Sequence, residues 1–465
     1  MVPSARTFDA IIIGAGQAGP PLAARLTGAG MQVALIERKL VGGTCVNTGC
    51  MPTKTLIASA RAAHVARRGA AFGVLIGAVG FDMTVAAARA RKVSDDARNG
   101  SESRLKATKG LTFRRGHARL AGPTTIVVGD ETFHAPKIFL NVGGRASVPP
   151  IAGIADVPYL DNTDMVALDH VPAHLIVVGG GSVGLEFAQM YRRFGARVTI
   201  VERNRRIAAR EDDDIAAAMT GMLEAEGIEI RTGADCVRLD RDGDGIMVTV
   251  DCVHGDRVVR GTHVLMATGR MPNTDDLGLD AAGVAVDDRG YIRVDDRLQT
   301  SQDGIWALGE CNGRGAFTHT AYNDFEIVAA NLLDGDDRTL AARVDGYAIY
   351  TDPPLGRAGM TEAEAMASGR DILVSMRPMA QVGRAVEKGE TTGLMKLVAE
   401  AGSRRILGAA IFGVDGDEAI HAALNLMSAG ATIDDLRWAV PIHPTAAELL
   451  PTLAVELARP TSTAG

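Results

Sequence analysis

The chain carries one segment twice. Residues 8–38 read FDAIIIGAGQAGPPLAARLTGAGMQVALIER, and residues 174–203 read HLIVVGGGSVGLEFAQMYRRFGARVTIVER. At a constant offset, Gly14, Gly16 and Gly19 fall on Gly179, Gly181 and Gly184, and Glu37 falls on Glu202. Each copy is a continuous apolar run, then G-x-G-x-x-G, then a helical stretch, then a second apolar run ending in glutamate. An uninterrupted apolar strand suits a parallel sheet buried on both faces. The first glycine permits a tight turn, the second lets the backbone approach a pyrophosphate, and the third packs helix on strand. The helix N-terminus adds N–H groups and a positive dipole end. The glutamate stands where a ribose hydroxyl pair is held. One such motif is weak evidence. Two of them, each with strand, helix, strand and acid in place, predict an α/β chain with two Rossmann-like dinucleotide-binding domains.

At 465 residues the chain exceeds one hydrophobic core. Its acidic excess of seven charges argues against a nucleic-acid partner, which needs a basic face. No run of ~18 apolar residues occurs, so no membrane span is expected. The first apolar run, Ala10 to Ile13, leads into glycines and is not a secretory signal, so the expected compartment is the cytoplasm. Five cysteines, an odd and sparse set, do not make a disulfide framework. Only Cys45 and Cys50 are close in sequence.

These two lie in GGTCVNTGCMPTK, residues 42–54. The paired glycines, with Gly43 and Thr44 next to Cys45, allow close approach to a flat cofactor. A first helical turn across the gap is expected to bring both sulfurs within disulfide range. A helix N-terminus and the nearby Lys54 favour a thiolate. The competing readings are a structural disulfide, uncommon in a reducing compartment, and part of a zinc site. Zinc wants further Cys or His ligands at short spacing and none stands nearby, so no metal site is expected. The first dinucleotide site, next to the cysteines, is assigned the resident redox cofactor. The second is assigned the exchangeable nicotinamide. Glu202 favours NADH, because a carboxylate repels a 2′-phosphate. Arg203, with Arg205 and Arg206, offers that phosphate a partner, so NADPH stays open.

This block, and nearly the whole chain in the same order, resembles the class I pyridine nucleotide-disulfide oxidoreductases: dihydrolipoamide dehydrogenase, glutathione reductase, mercuric reductase and their relatives. The resemblance implies FAD in the first site and a homodimer whose active site is shared between subunits. It implies that Cys45 is the thiol that attacks substrate and Cys50 the sulfur that contacts the flavin. Lys54 would lie beside the flavin, paired with Glu186 from the second dinucleotide helix. VLMATGRMPN (264–273), with Gly269, resembles the segment leaving the nicotinamide domain. TSQDGIWALGE (300–310) resembles the second flavin-binding segment, where relatives usually carry aspartate on the ribityl chain and this chain has Glu310. FTHTA (317–321) would place Phe317 and Thr318 near the flavin ring. FLNVGGR (139–145) stands where relatives often read A-T-G, and Gly143 still implies a turn.

After about residue 345 the pattern changes and no further G-x-G-x-x-G occurs, resembling the family's α+β dimerisation domain. The implied order is an FAD-binding domain over 1–150, an NAD(P)-binding domain over 151–270, a second FAD-binding part over 271–344 and an interface domain over 345–465. PIHPTAAE (441–448) carries His443, which titrates in the range needed to protonate a leaving thiolate, and Glu448 about one helical turn on to orient it. His64, His117, His319 and His421 have no comparable case. Cys236, Cys252 and Cys311 read as passive.

For substrate, the cysteine block looks closest to mercuric-reductase-like members. Three departures oppose mercury: no cysteine follows Cys311, no metallochaperone-like segment precedes the first motif, and His443 is present. The expectation is therefore an NAD(P)H-dependent reductase of a small disulfide. The alternatives are a metal-ion or oxidant-stress reductase, and a flavoprotein subunit docked in a multienzyme complex.

Overall fold

The computed structural model describes residues 6–252 and 256–460. Its two central sheets repeat the sequence duplication. The first runs in the order Ile305–Ala307, Ile138–Leu140, Ala10–Ile13, Val33–Glu37, Leu111–Arg115, all parallel. The second runs Tyr159–Leu160, His263–Met266, His174–Val178, Arg197–Glu202, Glu229–Thr232, also all parallel. In each, the strand that feeds the glycine motif is central. Both glycine-motif strands are buried along their whole length, as parallel strands covered on two faces must be.

Each unit has a small side sheet, antiparallel except where Arg6–Thr7 runs parallel to Glu131–His134. Arg6–Thr7 joins Glu131–His134, Thr125–Val128 and Ala118–Gly122 in one, and Ala234–Asp242, Gly245–Cys252 and Val258–Gly261 form the other. The two units connect through a short antiparallel ladder between Gly144–Ala146 and Arg270–Pro272. The C-terminal unit is a five-stranded antiparallel sheet in the order Gly346–Ile349, Leu355–Gly359, Ile406–Phe412, Leu394–Glu400, Ile372–Pro378. The helix Gly416–Ser428 packs on it through Ile420 and Ala423. This is the mixed architecture expected, two Rossmann-like units and an α+β module.

Buried and half-buried ion pairs tie the three units together. Arg193, on the helix Ser182–Phe194, reaches Glu226 at 2.8 Å and also Asp352 of the C-terminal unit. Arg61, on the helix Cys50–Arg67, reaches the same Asp352 and, at 2.9 Å, Glu390. Arg357 and Glu211 pair at 2.6 Å with both side chains 2% exposed. A buried charge stripped of its partner is costly, so such contacts hold units in one register.

Candidate active site

Both glycine motifs close in the same way. Gly14 has φ of +106°, and a Cβ there would sit 2.1 Å from the Asn141 carbonyl oxygen. Gly179 has φ of +114°, and its Cβ would sit 2.4 Å from the Ala267 carbonyl oxygen. Only glycine fits either place. The third glycines, Gly19 and Gly184, pack just as tightly on the Gly14 and Gly179 carbonyl oxygens, at 2.2 and 2.1 Å for an added Cβ. Gly181 faces open space, leaving its backbone free to be approached. Gly43 packs on the backbone of Gly16, so the cysteine block begins against the first motif.

The two matching glutamates brace these turns as well as facing the cleft. Glu37 accepts a hydrogen bond from the Ala15 N–H at 2.8 Å, and Glu202 accepts one from the Gly180 N–H at 2.6 Å. Their second oxygens are also held, Glu37 by the Lys39 N–H and Glu202 by both the N–H and the side-chain amide of Asn204. Asn204 was not singled out in the sequence. Arg203 is exposed and lines the cleft, whereas Arg206 is drawn away onto Asp213 and the Glu211 carbonyl oxygen.

A continuous cleft of about 3390 Å³ joins the two motifs and the cysteine pair. Gly143, Gly269, Phe317, Thr318 and Glu310 all line it. These residues suit two extended dinucleotides. The glycine turns present bare backbone where an added Cβ would intrude, and two helix N-termini open onto the cleft.

Cys45 lies in the short helix Gly43–Asn47, and Cys50 opens the long helix Cys50–Arg67. The expectation of a single first turn spanning both is corrected here. Thr48 and Gly49 break the helix between them, and Gly49, with φ of −134° and ψ of −116°, lies outside the helical region where the Cys50 helix starts. Both are free thiols. Their acidities diverge. Cys50 is brought down to about 6, chiefly by the hydrogen bond from Cys45, with burial opposing and Thr318 and Lys54 assisting. Its sulfur lies 3.5 Å from the Thr318 hydroxyl. Cys45 is pushed well above the ordinary thiol range by its hydrogen bond to Cys50, its burial and the Cys50 charge. The surroundings therefore favour the proton on Cys45 and the negative charge on Cys50.

Lys54 lies one turn along the same helix and pairs with Glu186 at 2.7 Å. Its ammonium also sits 4.5 Å from the Tyr350 ring centre, and the Tyr350 N–H donates to the other Glu186 oxygen at 2.9 Å. Tyr350 comes from the C-terminal unit and was not anticipated.

Glu310 has a partner that the motif reading missed. Arg270, from the segment leaving the second dinucleotide unit, grips it with two nitrogens, one at 2.9 Å, and also donates to the Gly144 carbonyl oxygen at 2.9 Å. Arg270 was in plain view within VLMATGRMPN, but only folding shows that it reaches a carboxylate forty residues on. Phe317 stacks between His319 and Tyr347, at 5.4 and 5.6 Å between ring centres.

His443 and Glu448 meet as expected, with Nδ1 2.8 Å from Oε2, although the segment between them is irregular rather than a helical turn. The imidazole is 77% exposed and the carboxylate 10% exposed. Within one chain His443 does not line the cleft that holds Cys45 and Cys50. It stands instead beside Val440 and Ile442, which are 94% and 80% exposed. Among the other cysteines, Cys311 is fully buried and pushed up to about 12 by that burial, and Cys236 is buried and pushed up to about 11. Among the described residues no group of three or more His, Cys, Asp or Glu could hold a metal ion, and no helix is long and apolar enough to cross a membrane.

Comparison with known proteins agrees with this geometry. Residues 8–324 match the pyridine nucleotide-disulphide oxidoreductase family model, and residues 346–454 match the dimerisation domain of the same family. The chain is 36% identical to the probable pyridine nucleotide-disulfide oxidoreductase RclA of Escherichia coli, over 95% of this chain and 98% of that one. It is 35% identical to a mercuric reductase of Streptomyces lividans, over 95% and 94%, and 34% identical to a dihydrolipoyl dehydrogenase of Thermus scotoductus, over 95% and 96%. A solved structure described as the Cu(II) complex of HOCl-induced flavoprotein disulfide reductase RclA superposes with a TM-score of 0.87 at 35% identity, covering 97% of this chain and 99% of that one. The chain belongs to the pyridine nucleotide-disulphide oxidoreductase family, as a flavin-dependent enzyme that uses FAD and NAD(P)H and carries the family's dimerisation domain.

Proposed function

We propose that the enzyme takes electrons from NADH and reduces a small disulfide at Cys45, with His443 of the partner subunit as its acid and base. The observation that carries this reading is that Cys45 and Cys50 line the cleft that also joins both glycine motifs, with the Cys50 sulfur 3.5 Å from the Thr318 hydroxyl. When bound, FAD supplies the two-electron relay between the nicotinamide and sulfur. Gly14, Gly16, Gly19, Glu37, Gly43, Thr44, Gly143, Glu310, Phe317 and Thr318 would hold it, and Gly179, Gly181, Gly184, Glu202, Arg203 and Gly269 would hold the nicotinamide dinucleotide.

Cys45 keeps its proton too firmly to attack unaided, so a base must remove it. An imidazole braced by Glu448 suits that task and returns the proton to the departing thiolate. The Cys45 sulfur attacks one substrate sulfur, the substrate S–S bond breaks, and one thiol leaves protonated. Cys50 then attacks Cys45, closing their disulfide and releasing the second sulfur as a thiolate, which takes its proton from solvent. The exposed imidazole and the bare Val440 and Ile442 fit a segment completed by a second chain.

A second reading has its own support. A thiolate beside a thiol, open to a cleft, also suits a thiophilic metal ion, and a relative's solved structure is described as a Cu(II) complex. Two Cu(II) ions would become Cu(I) as the thiol and the thiolate close to a disulfide and release the one proton they hold. Turnover of the FAD-loaded dimer with NADH against lipoamide, glutathione disulfide, other small disulfides, Hg(II) and Cu(II) separates the two. A disulfide reduced with strict dependence on His443 supports the first reading. Metal reduction indifferent to His443, with no disulfide turnover, replaces it with the second.

A further inference from the structure

Away from the cleft, two histidines bring ring nitrogens face to face. His170 lies in the connection before the strand His174–Val178, and His263 opens the parallel strand His263–Met266. Their Nε2 atoms are 3.3 Å apart. The other nitrogen of each ring is already committed. His170 Nδ1 is 3.3 Å from the Asp169 carboxylate, which can only accept, so Nδ1 carries the hydrogen. His263 Nδ1 is 3.0 Å from the Thr262 hydroxyl. That hydroxyl accepts the His174 N–H at 3.1 Å and lies 3.0 Å from the His174 carbonyl oxygen; when it donates there it accepts from His263, and this Nδ1 also carries the hydrogen. Two bare Nε2 lone pairs are thus left facing each other. Such a contact is repulsive unless a positive centre lies between them.

We propose that His170 and His263 bind a Zn(II) ion through these Nε2 atoms, with solvent completing the coordination. At Zn–N distances of about 2.0–2.1 Å, a 3.3 Å separation corresponds to an N–Zn–N angle of about 104–111°, which is tetrahedral. A square-planar ion would bring the nitrogens closer together. Asp169 and Thr262 act as the outer groups that fix ring orientation and tautomer in histidine metal sites. The glycine motif lies at the C-terminal end of the neighbouring strand, so the ion sits at the opposite end of the sheet from the nucleotide. There it clips the connection at 168–173 to the strand edge.

The test is Zn(II) binding to the FAD-loaded enzyme with Cys45 and Cys50 closed as a disulfide, so that thiolates do not compete. By titration calorimetry the parent chain binds one more Zn(II) than His170→Gln or His263→Gln. Zn(II) raises its melting temperature and not theirs, and Asp169→Asn binds about 10–100-fold more weakly. Co(II) in place of zinc gives the intense d–d bands of a tetrahedral site, lost in both histidine variants. Disulfide turnover, measured after chelation, is the same in all four proteins, which shows that the variants are folded. Equal stoichiometry in parent and variants, or no binding to the parent, overturns the proposal and leaves a shared proton between the rings.

Discussion

Lys54 and Glu186 stand 132 residues apart in the chain and meet at 2.7 Å. The lysine is on the helix that Cys50 opens, and the glutamate is on the helix that follows the second glycine motif. The contact ties the helix that Cys50 opens to the helix of the second glycine motif. Its charges act on Cys50 with opposite sign, Lys54 favouring the thiolate and Glu186 opposing it. Lys54→Met should therefore raise the Cys50 pKa and Glu186→Gln should lower it. The measurement is a pH titration of the long-wavelength thiolate–flavin absorption in the NADH-reduced enzyme. In the parent it is present above about pH 6 and fades below it. Shifts of the same sign in both variants would exclude a simple charge effect.

The same absorption assigns the cysteines. Cys45→Ser keeps a hydrogen-bond donor beside Cys50, so the band should persist. Cys50→Ser should abolish it. Cys45→Ala removes the largest influence lowering Cys50, and the band should need higher pH to appear. A band surviving in Cys50→Ser would mean that the wrong sulfur has been placed against the flavin.

Much of this was legible before folding, and the reason is the short range of the signals. Each glycine motif encodes its own turn, and Cys45, Cys50 and Lys54 lie within ten residues. The fold preserves those local relations in register. Contacts between units were not legible. Arg270 grips Glu310, and Tyr350 lies over Lys54, only because separate sheets dock there. Nothing in the local spacing of an arginine or tyrosine states which distant carboxylate or ammonium it will meet. The helix break at Thr48 and Gly49 was missed for another cause. Gly49 packs 3.0 Å from the Thr44 carbonyl oxygen for an added Cβ, a tertiary constraint that a helix-turn reading ignores.

His443→Ala should slow disulfide turnover by about 10²–10⁴-fold, the usual worth of general acid–base catalysis. Reduction of the flavin by NADH in stopped flow should stay fast, because that half-reaction needs no proton from His443. Glu448→Gln keeps the contact but loses the charge, and should give a smaller loss of the same kind. Unchanged disulfide turnover in His443→Ala would remove the imidazole from the mechanism. Mixed dimers of His443→Ala and Cys45→Ser chains sharpen the point. If the site is shared between subunits, one of the two sites in such a dimer keeps both groups, and activity returns.

Nucleotide choice rests on Glu202 and its holder Asn204. Three hydrogen bonds fix the Glu202 carboxylate at the strand end, two of them from Asn204. A carboxylate held there is available to ribose hydroxyls and repels a 2′-phosphate. Of the nearby arginines, Arg206 is already committed to Asp213 and to backbone oxygens, which leaves Arg203 without its help. The expected outcome is a higher kcat/KM with NADH than with NADPH. Asn204→Ala should narrow that ratio by freeing the carboxylate, and Glu202→Ala should narrow it further, with most of the change in KM. The discriminating measurement is the kcat/KM ratio across the three proteins. A parent enzyme that prefers NADPH would show that Arg203 outweighs the carboxylate, and the order of the variants would then reverse.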